Sequence, residues 1–335
     1  MTSDVPAPPD RRETGRSMPP SSVSVCIATC NQRAYIRQCL DSVLQQRTDR
    51  LLEILVGDDC SDDGTSEIIA EYAAANPQRV VHLRRPQRLG ASANIQDLLR
   101  RASGCYLAHL DGDDYWLPGK LEHQIEFLDT HSECPAIYAN AVAIREDGER
   151  IGVFNDAGDG HHSLASLYRR GNFLNTSSML YRAMFKEELL SIDRPFIDYR
   201  MHLLLARHGS LAHLGRPLVA YRLNSVGSMT TTSSDLVREL YWEAMNSVPA
   251  GMLGAADQAS GLADFLRRVF GTARRQGRWN LLRVWAPRVF TASPYGRLRT
   301  CLLAVGSLLR IIYAEAIHRL RMIWRGDKGR VLYHR

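Results

Sequence analysis

Two groups of aspartates are the residues of this sequence best placed to do chemistry. Each group follows an apolar run: Asp58 and Asp59 the first, and Asp111, Asp113 and Asp114 the second. Carboxylates held close together repel one another unless a cation or hydrogen-bond donors neutralise them. Their oxygens are also the ligands that Mg²⁺ and Mn²⁺ prefer. The two groups therefore suggest chemistry on a charged ligand, with solvated or helix-capping loop carboxylates as the alternative.

Short apolar strands alternate with helical segments in the part of the chain that carries these aspartates. Strands are expected at 23–28, 52–56, 80–83 and 105–110, and helices at 34–46, 64–75 and 90–101. This alternation predicts right-handed βαβ units and a mostly parallel sheet. Ligands of such sheets bind beyond the carboxyl ends of the strands, and both aspartate groups are placed there.

Composition indicates a globular protein with an unevenly charged chain. Of the 335 residues, 45% are hydrophobic and 23% are charged, which is close to the globular average and excludes a disordered or collagen-like chain. The length fits one large α/β domain with an appendage, or two domains. Residues 1–230 carry 25 basic and 29 acidic side chains, whereas 231–335 carry 17 and 7. A mildly acidic body with a basic tail argues against a nucleic-acid-binding protein.

The cysteines and the first residues indicate a cytoplasmic protein. The seven cysteines form no C-x-x-C pair and have irregular spacing, so neither a disulfide framework nor a zinc site is expected. Residues 1–22 are rich in Pro, Ser and charge and lack an apolar signal segment, which favours a disordered leader. No run of eighteen apolar residues predicts a transmembrane helix.

Four segments, in this order, resemble glycosyltransferase family 2, whose members have the GT-A fold. They read VSVCIATCNQRAYI (23–36), VGDDCSDDGTSEII (56–69), YLAHLDGDDYWLPGKLEHQIEFL (106–128) and FIDYRMHLLLARHGSLAHLGRPLVAYRLNSVGSMT (196–230). Asp-x-Asp alone is a weak signal, whereas four segments in order are specific. The resemblance implies an α/β GT-A fold: a Rossmann-like, mostly parallel sheet flanked by helices, with a C-terminal helical extension.

The resemblance also implies a division of the chain. The expected parts are a disordered leader at 1–22, a GT-A catalytic domain at 23–230 and a basic helical C-terminal region at 231–335. Within the catalytic domain, 23–120 would form the nucleotide-sugar half and 121–230 the acceptor half.

Carried over by motif, the family's donor-binding residues fall on the two aspartate groups and the loop after the first strand. The resemblance implies that Asp59 holds the base, that Asp58 supports its loop, and that Thr29 and Asn31 line the nucleotide pocket. Asp111 and Asp113 would bring Mg²⁺ or Mn²⁺ to the diphosphate of the donor, because hard cations take oxygen ligands. Asp111 is thus expected to serve both the nucleotide sugar and the metal.

The resemblance places the catalytic base in the second half, just before an apolar helix. Asp198 fits that position, and a carboxylate there can take the proton of the attacking hydroxyl. The alternative is that Asp198 simply caps the helix. Asp193 is the second candidate for the base.

The resulting functional prediction is an inverting, metal-dependent, non-processive glycosyltransferase. It would move a sugar from a nucleotide donor, with a UDP-sugar favoured, to a hydroxyl of a glycan or lipid-linked glycan in cell-surface polysaccharide assembly. Two alternatives stay open: a nucleotidyltransferase, which normally has a Gly-rich phosphate loop that Ala28–Gln32 lacks, and a non-catalytic scaffold of the same fold.

The basic tail predicts an amphipathic helix. Apolar residues recur there at spacings of three and four, bordered by arginines; they are Leu302, Val305, Leu309, Ile312, Ala316, Leu320 and Ile323. Such a helix fits attachment to an anionic membrane surface, which would place the protein on the inner face of the cell membrane. A helix packed on the catalytic domain explains the same pattern.

Overall fold

The computed structural model describes residues 22–223, 234–325 and 330–333. Except for Ser22, the predicted leader lies outside these residues. The strands form one mixed sheet whose main path runs β11-β7-β6-β9-β4-β1-β2-β3, with β10 joined to β6 and carrying β5 and β8. The sheet thus holds the whole catalytic region together.

The first half of the chain confirms the alternation of strands and helices expected from its sequence. Its elements are β1 (Val23–Thr29), α1 (Ile36–Leu44), β2 (Leu52–Asp58), α2 (Thr65–Ala75), β3 (Val80–Arg84), α3 (Ala91–Arg101) and β4 (Tyr106–Asp111). β1 pairs in parallel with both β2 and β4, and β2 pairs in parallel with β3. Strand order therefore reverses at β1, and such a switch point opens a crevice for ligands.

The second half adds antiparallel strands to this parallel core. Its elements are β5 (Tyr115–Trp116), α4 (Lys120–Thr130), β6 (Ala136–Ile144), β7 (Arg150–Asn155), β8 (Gly160–His162), α5 (Leu164–Arg170), β9 (Leu180–Arg182), α6 (Lys186–Leu190), α7 (Asp198–Leu205) and β10 (Leu211–Arg222). β9 is antiparallel to both β4 and β6, whereas β10 is parallel to β6. A short 3-10 helix, Thr176–Ser178, precedes β9.

Alternate residues of the central strands supply two separate hydrophobic cores, one on each face of the sheet. On β1, Val25 and Ile27 enter the core that also holds Ile36 and Leu40 of α1, whereas Cys26 enters the opposite core. Side chains of a strand point to opposite faces in turn, so this central strand is buried on both sides. The result is a three-layer α/β/α architecture, as the resemblance implied.

The C-terminal region contributes four helices and one strand: α8 (Ser234–Asn246), α9 (Ala255–Gln276), α10 (Asn280–Ala292), α11 (Arg297–Arg325) and β11 (Arg330–Tyr333). Trp242, Phe265 and Trp285 of α8–α10 form mutual ring contacts with centroids 5.1–5.8 Å apart. These three residues belong to the same core as Cys26. The region was expected to be helical, but β11 pairs in parallel with β7 and extends the sheet.

Candidate functional site

The two aspartate groups meet at one edge of the sheet. Thr29 at the end of β1 pairs with Asp58 of β2, and Ala28 pairs with Asp111 of β4. The backbone at Gly112, directly after β4, also lies close to the end of β1. A side chain would not fit there, because its Cβ would lie 2.6 Å from the Thr29 hydroxyl oxygen. The chain thus places both groups at the switch point, where the alternation of strands and helices predicted a ligand site.

Asp58 is a fully buried carboxylate that organises the loop after β2. One of its oxygens accepts a hydrogen bond from the Ser61 backbone N–H at 3.0 Å, and the other lies 3.6 Å from His82 Nε2. Burial opposes ionisation, but hydrogen bonds from His82, Ser61 and Ser66 outweigh it and lower the pKa of Asp58 to about 2. This geometry agrees with the supporting role expected for Asp58.

Replacing Asp58 with asparagine should therefore cost stability in a pH-dependent way. The pKa of Asp58 is lower in the folded chain than in an unfolded one, so its contribution is present above pH 4 and is lost as the pH falls towards 2. We expect D58N to lower the free energy of unfolding by about 2 kcal/mol at pH 7 and by much less near pH 2. Urea denaturation of D58N and wild type between pH 2 and pH 7 measures this difference in the free energy of unfolding. D49N, which changes an aspartate on an exposed loop, is the control. A deficit that does not change with pH would contradict the role of the charge.

Asp59 points towards the loop before α3. Its two carboxylate oxygens accept the backbone N–H groups of Leu89 and Gly90 at 2.6 and 2.9 Å. A carboxylate offers about four acceptor positions, so two remain for the N–H groups of a base. The position predicted to recognise the base is therefore fixed by the fold before any ligand arrives.

Asn31 links the loop after β1 to the loop after β2. Its side-chain amide exchanges hydrogen bonds with Asp62 at 2.9 and 3.0 Å, and its backbone N–H donates to Ser61 Oγ. Asn31 adopts a positive φ of 54°, a conformation that asparagine tolerates better than most residues. Thr29 is buried and donates its hydroxyl to Gln32 Oε1. Both predicted pocket residues thus lie beside Asp58 and Asp59, where they shape the loops.

Asp111, Asp113 and Asp198 bring three negative charges to the same place. Loss of hydration in the crowded edge of the sheet, together with the charges of Asp113 and Asp198, raises the pKa of Asp111 to about 7, although its side chain still reaches solvent. A raised pKa is expected for a carboxylate that lies beside other carboxylates, and a bound cation would reduce the repulsion between them. Within the described residues, no group of three or more His, Cys, Asp or Glu is placed to hold a metal ion. Asp111 and Asp113 by themselves therefore do not form a metal site.

Asp114 has a structural task next to these carboxylates. It is buried, and it accepts the Ser177 hydroxyl at 2.6 Å and the Arg222 backbone N–H at 2.8 Å. The guanidinium of Arg222 in turn donates to the backbone oxygen of Asp113 and lies over the ring of Tyr35. Asp114 does not cap α4. It ties the acidic loop to the 3-10 helix and to β10.

Asp198 is the first residue of α7, and neighbouring side chains hold its carboxylate. Oδ1 accepts from Asn172 Nδ2 at 2.8 Å and from its neighbour's backbone N–H, while Oδ2 accepts from the Thr176 hydroxyl at 2.9 Å. Three of about four acceptor positions are used, so one remains for a substrate hydroxyl. Asp193, the second candidate, is 80% exposed and pairs with Arg194. The geometry favours Asp198 over Asp193.

His202, one turn further along α7, sets the direction of Asn172. Its Nδ1 lies 3.2 Å from Asn172 Oδ1. Burial lowers the pKa of His202 to about 4, against the opposing charge of Asp198. An ionised carboxylate only accepts hydrogen bonds, so Asn172 turns its amide nitrogen to Asp198 and its oxygen to His202. A neutral imidazole that donates to this oxygen carries its hydrogen on Nδ1.

Thr176, Ser177, Arg222 and His202 did not appear among the site residues predicted from the sequence. Their roles depend on contacts across the fold: Ser177 reaches Asp114 from 63 residues away, and Arg222 reaches it from 108. The spacing of His202 one turn after Asp198 was the signal that could have identified it, since residues four apart share a helix face.

Comparisons with known proteins identify the family of the chain. The model of the family described as Glycosyl transferase family 2 matches residues 24–189. The putative teichuronic acid biosynthesis glycosyltransferase TuaG of Bacillus subtilis is 33% identical, over 62% of this chain and 81% of its own length. The UDP-Glc:alpha-D-GlcNAc-diphosphoundecaprenol beta-1,3-glucosyltransferase WfaP of Escherichia coli is 28% identical, over 65% of this chain and 83% of its own.

A solved structure shares the fold. The crystal structure of Staphylococcus aureus TarS 1–349 in complex with UDP-GlcNAc superposes with a TM-score of 0.61. The match covers 82% of each chain at 18% sequence identity. At that identity the likeness concerns the arrangement of strands and helices, and it extends well beyond residues 24–189.

Proposed function

The chain belongs to glycosyltransferase family 2, and from that membership we propose that it transfers a sugar from a nucleoside-diphosphate donor to a hydroxyl of a glycan, with inversion at the sugar carbon. The observation that carries this proposal is the convergence of Asp111, Asp113 and Asp198. They come from the end of β4, from the turn that follows it and from the start of α7. Thr176 and Ser177, neighbours in one 3-10 helix, donate to the Asp198 carboxylate and accept from the Asp111 backbone N–H, respectively, and the charges of Asp113 and Asp198 both act on Asp111. A diphosphate bound beside Asp111 and Asp113 would therefore lie near the carboxylate that receives the proton of the attacking hydroxyl.

Asp111 and Asp113 would hold a divalent cation, Mg²⁺ or Mn²⁺, against the donor diphosphate. When bound, the ion offsets the charge that develops on the leaving nucleoside diphosphate. Gly112 between them has no side chain, so the loop lies directly against Thr29 and Gln32. Asp114, held by Ser177 and Arg222, fixes the same loop from behind. These contacts orient the two carboxylates before the donor binds, which is what preorganised electrostatic stabilisation requires.

Asp198 would remove the proton of the acceptor hydroxyl. As the hydroxyl oxygen forms its bond to the anomeric carbon, the bond from that carbon to the phosphate oxygen breaks, and the proton passes to the free acceptor position of Asp198. A single displacement of this kind inverts the configuration at the carbon. Asn172 and Thr176 keep the carboxylate in place by hydrogen bonds of 2.8 and 2.9 Å, so its orientation does not depend on the acceptor.

The donor is proposed to be a UDP-sugar, and the acceptor a lipid-linked glycan in the assembly of a cell-surface polysaccharide. The names of the relatives support this: TarS was crystallised with UDP-GlcNAc, WfaP uses UDP-Glc and a diphosphoundecaprenol-linked sugar, and TuaG is named for teichuronic acid biosynthesis. A cytoplasmic site of action follows from such donors. No helix in the described part of the chain is long and apolar enough to cross a bilayer.

Replacing Asp59 with alanine should weaken nucleotide binding more than it slows the reaction of bound donor. A hydrogen bond to a charged group contributes about 1.5–3 kcal/mol, so the dissociation constant for UDP should rise roughly ten- to a hundredfold. Titration calorimetry with UDP measures this dissociation constant. The value of kcat at saturating donor should change far less. Unchanged affinity would show that Asp59 only holds the backbone of Leu89 and Gly90.

The test of the function itself is a panel of nucleotide sugars incubated with the purified protein. Release of nucleoside diphosphate that requires Mg²⁺ or Mn²⁺ and is abolished by a chelator supports the proposal. Release of pyrophosphate from a nucleoside triphosphate and a sugar phosphate would instead identify a nucleotidyltransferase. Binding of donors without any turnover, also when glycan acceptors are supplied, would identify a scaffold.

A further inference from the structure

Helix α11 packs on the rest of the protein through its polar side. Ser307 is buried, donates its hydroxyl to Asp264 at 2.9 Å and accepts from Arg267 Nε at 3.1 Å. Thr300 is fully buried and lies 2.9 Å from the Ser293 hydroxyl. The contact between α11 and α9 is therefore made around hydrogen-bonded groups, with Ala304 packed against the core alongside them.

The opposite side of α11 presents large apolar side chains to solvent. We call these residues the apolar stripe; each is 53–77% exposed, and they are Leu298, Leu302, Val305, Leu309, Ile312 and Tyr313. Amphipathic helices of globular proteins normally turn their apolar face inwards, and here the arrangement is reversed. The stripe contains six of the fourteen exposed large hydrophobic residues found among the described side chains. Such a concentration marks a surface that has a partner.

The charge beside the stripe has one sign. Between residues 297 and 313 the sequence holds three arginines, Arg297, Arg299 and Arg310, and no acidic residue. All three are exposed, and Arg299 lies over the ring of Tyr295, 3.7 Å from its centroid. An apolar face bordered by exposed arginines complements a surface that is apolar inside and anionic at its edge.

We propose that α11 docks on an anionic lipid membrane, with the apolar stripe buried in the interface and Arg297, Arg299 and Arg310 at the level of the headgroups. The stripe has the spacing of a coiled-coil seam as well, so a second copy of the chain is the competing occupant. Two copies would bring the arginines of two helices together, and each α11 holds one acidic residue, Glu315, against six arginines. These arginines would repel one another across such a contact, whereas anionic headgroups attract them, and each basic residue near the headgroups adds to the attraction.

Binding to lipid vesicles tests the proposal with the full chain. Wild type should cosediment with vesicles containing phosphatidylglycerol and much less with pure phosphatidylcholine, and added salt should weaken the binding because it screens exposed charges. L302E/L309E should reduce the partition coefficient at least tenfold. The matched control is L51E/M184E, which makes the same kind of change at two exposed apolar residues elsewhere and should bind like wild type.

The arginines are tested by a second variant, R297Q/R299Q/R310Q. It should lose about tenfold or more in partition to phosphatidylglycerol vesicles and show a flatter dependence on salt. Substitutions are preferable to deletion of 297–335, because deletion also removes β11 from the edge of the sheet. Thermal unfolding and the affinity for UDP should stay at wild-type values in all variants, which separates loss of docking from loss of folding or of the donor site.

Three results would overturn the proposal. One is wild-type protein that binds neither type of vesicle. Another is equal binding to both vesicle types, which removes the role of anionic lipid. The third is a wild-type dimer in light scattering that L302E/L309E converts to a monomer while vesicle binding stays unchanged, since the stripe would then be covered by a second copy. None of these measurements depends on the transferase reaction.

Discussion

Asp113→Ala is expected to abolish sugar transfer while leaving the fold intact. A cation held by Asp111 and Asp113, as proposed above, would stabilise the leaving diphosphate by several kcal/mol, and each 1.36 kcal/mol corresponds to a factor of ten in rate. Turnover should therefore fall by roughly three orders of magnitude or more. Steady-state release of nucleoside diphosphate at saturating Mn²⁺ measures the loss.

The control for this variant is Asp49→Ala, which removes an aspartate from an exposed loop on the same half of the chain. It should have wild-type turnover. Unfolding curves of both variants should match wild type within about 1 kcal/mol, because Asp113 accepts the Arg222 guanidinium with its backbone oxygen, which alanine keeps. If Asp113→Ala turns over at nearly the wild-type rate in the presence of a chelator, the metal assignment is wrong.

Asp198→Asn should lower turnover by roughly two to four orders of magnitude, the usual contribution of general base catalysis. Asparagine has nearly the same size as aspartate and can keep the contacts to Thr176 and Asn172 after a small adjustment, but it cannot take a proton. The affinity for UDP should stay within about twofold of wild type, since the base faces the acceptor. The measurement is kcat with acceptor present, together with UDP affinity by calorimetry.

Asp193→Asn is the matched control for the base, because it makes the same chemical change five residues earlier. Its side chain is exposed and contacts Arg194, so turnover should not change. The opposite pair of results, an active Asp198→Asn and an inactive Asp193→Asn, would mean that the acceptor hydroxyl approaches from the other side of α7.

Local patterns in the sequence were sufficient to predict the donor half of the fold. The strands and helices from Val23 to Asp111 were identified by apolar runs and their period, and the parallel order of the strands explains why Asp58 and Asp111 meet. The antiparallel strand β9 between β4 and β6 was not predicted, because its three residues carry no pattern of their own.

The contacts that hold the acidic side chains could not be predicted in the same way. Arg222 lies in one of the segments that resemble the family, but no spacing in the sequence links it or Ser177 to Asp114, and only the folded chain brings the three residues together. Likewise, the spacing of apolar residues in α11 predicted an apolar stripe, but it did not show which side of the helix packs on the rest of the protein. That side is decided by Asp264 and Arg267, which bind the hydroxyl of Ser307. The helix packs on the protein, as one of the two expectations for the tail had it, and it exposes its apolar face. Attachment to a membrane stays a prediction.

The pairing of β11 with β7 has a consequence for synthesis of the protein. β7 ends at Asn155, and the strand that covers its edge begins at Arg330. At typical rates of about 5–20 residues per second, the ribosome needs on the order of ten seconds or more to make the intervening chain. During that interval the backbone groups along one edge of β7 have no strand partner, and unpaired edges attract other chains. Nascent copies on one polysome are therefore at risk of joining through β7, and slow translation after Asn155 should lower the yield of soluble protein.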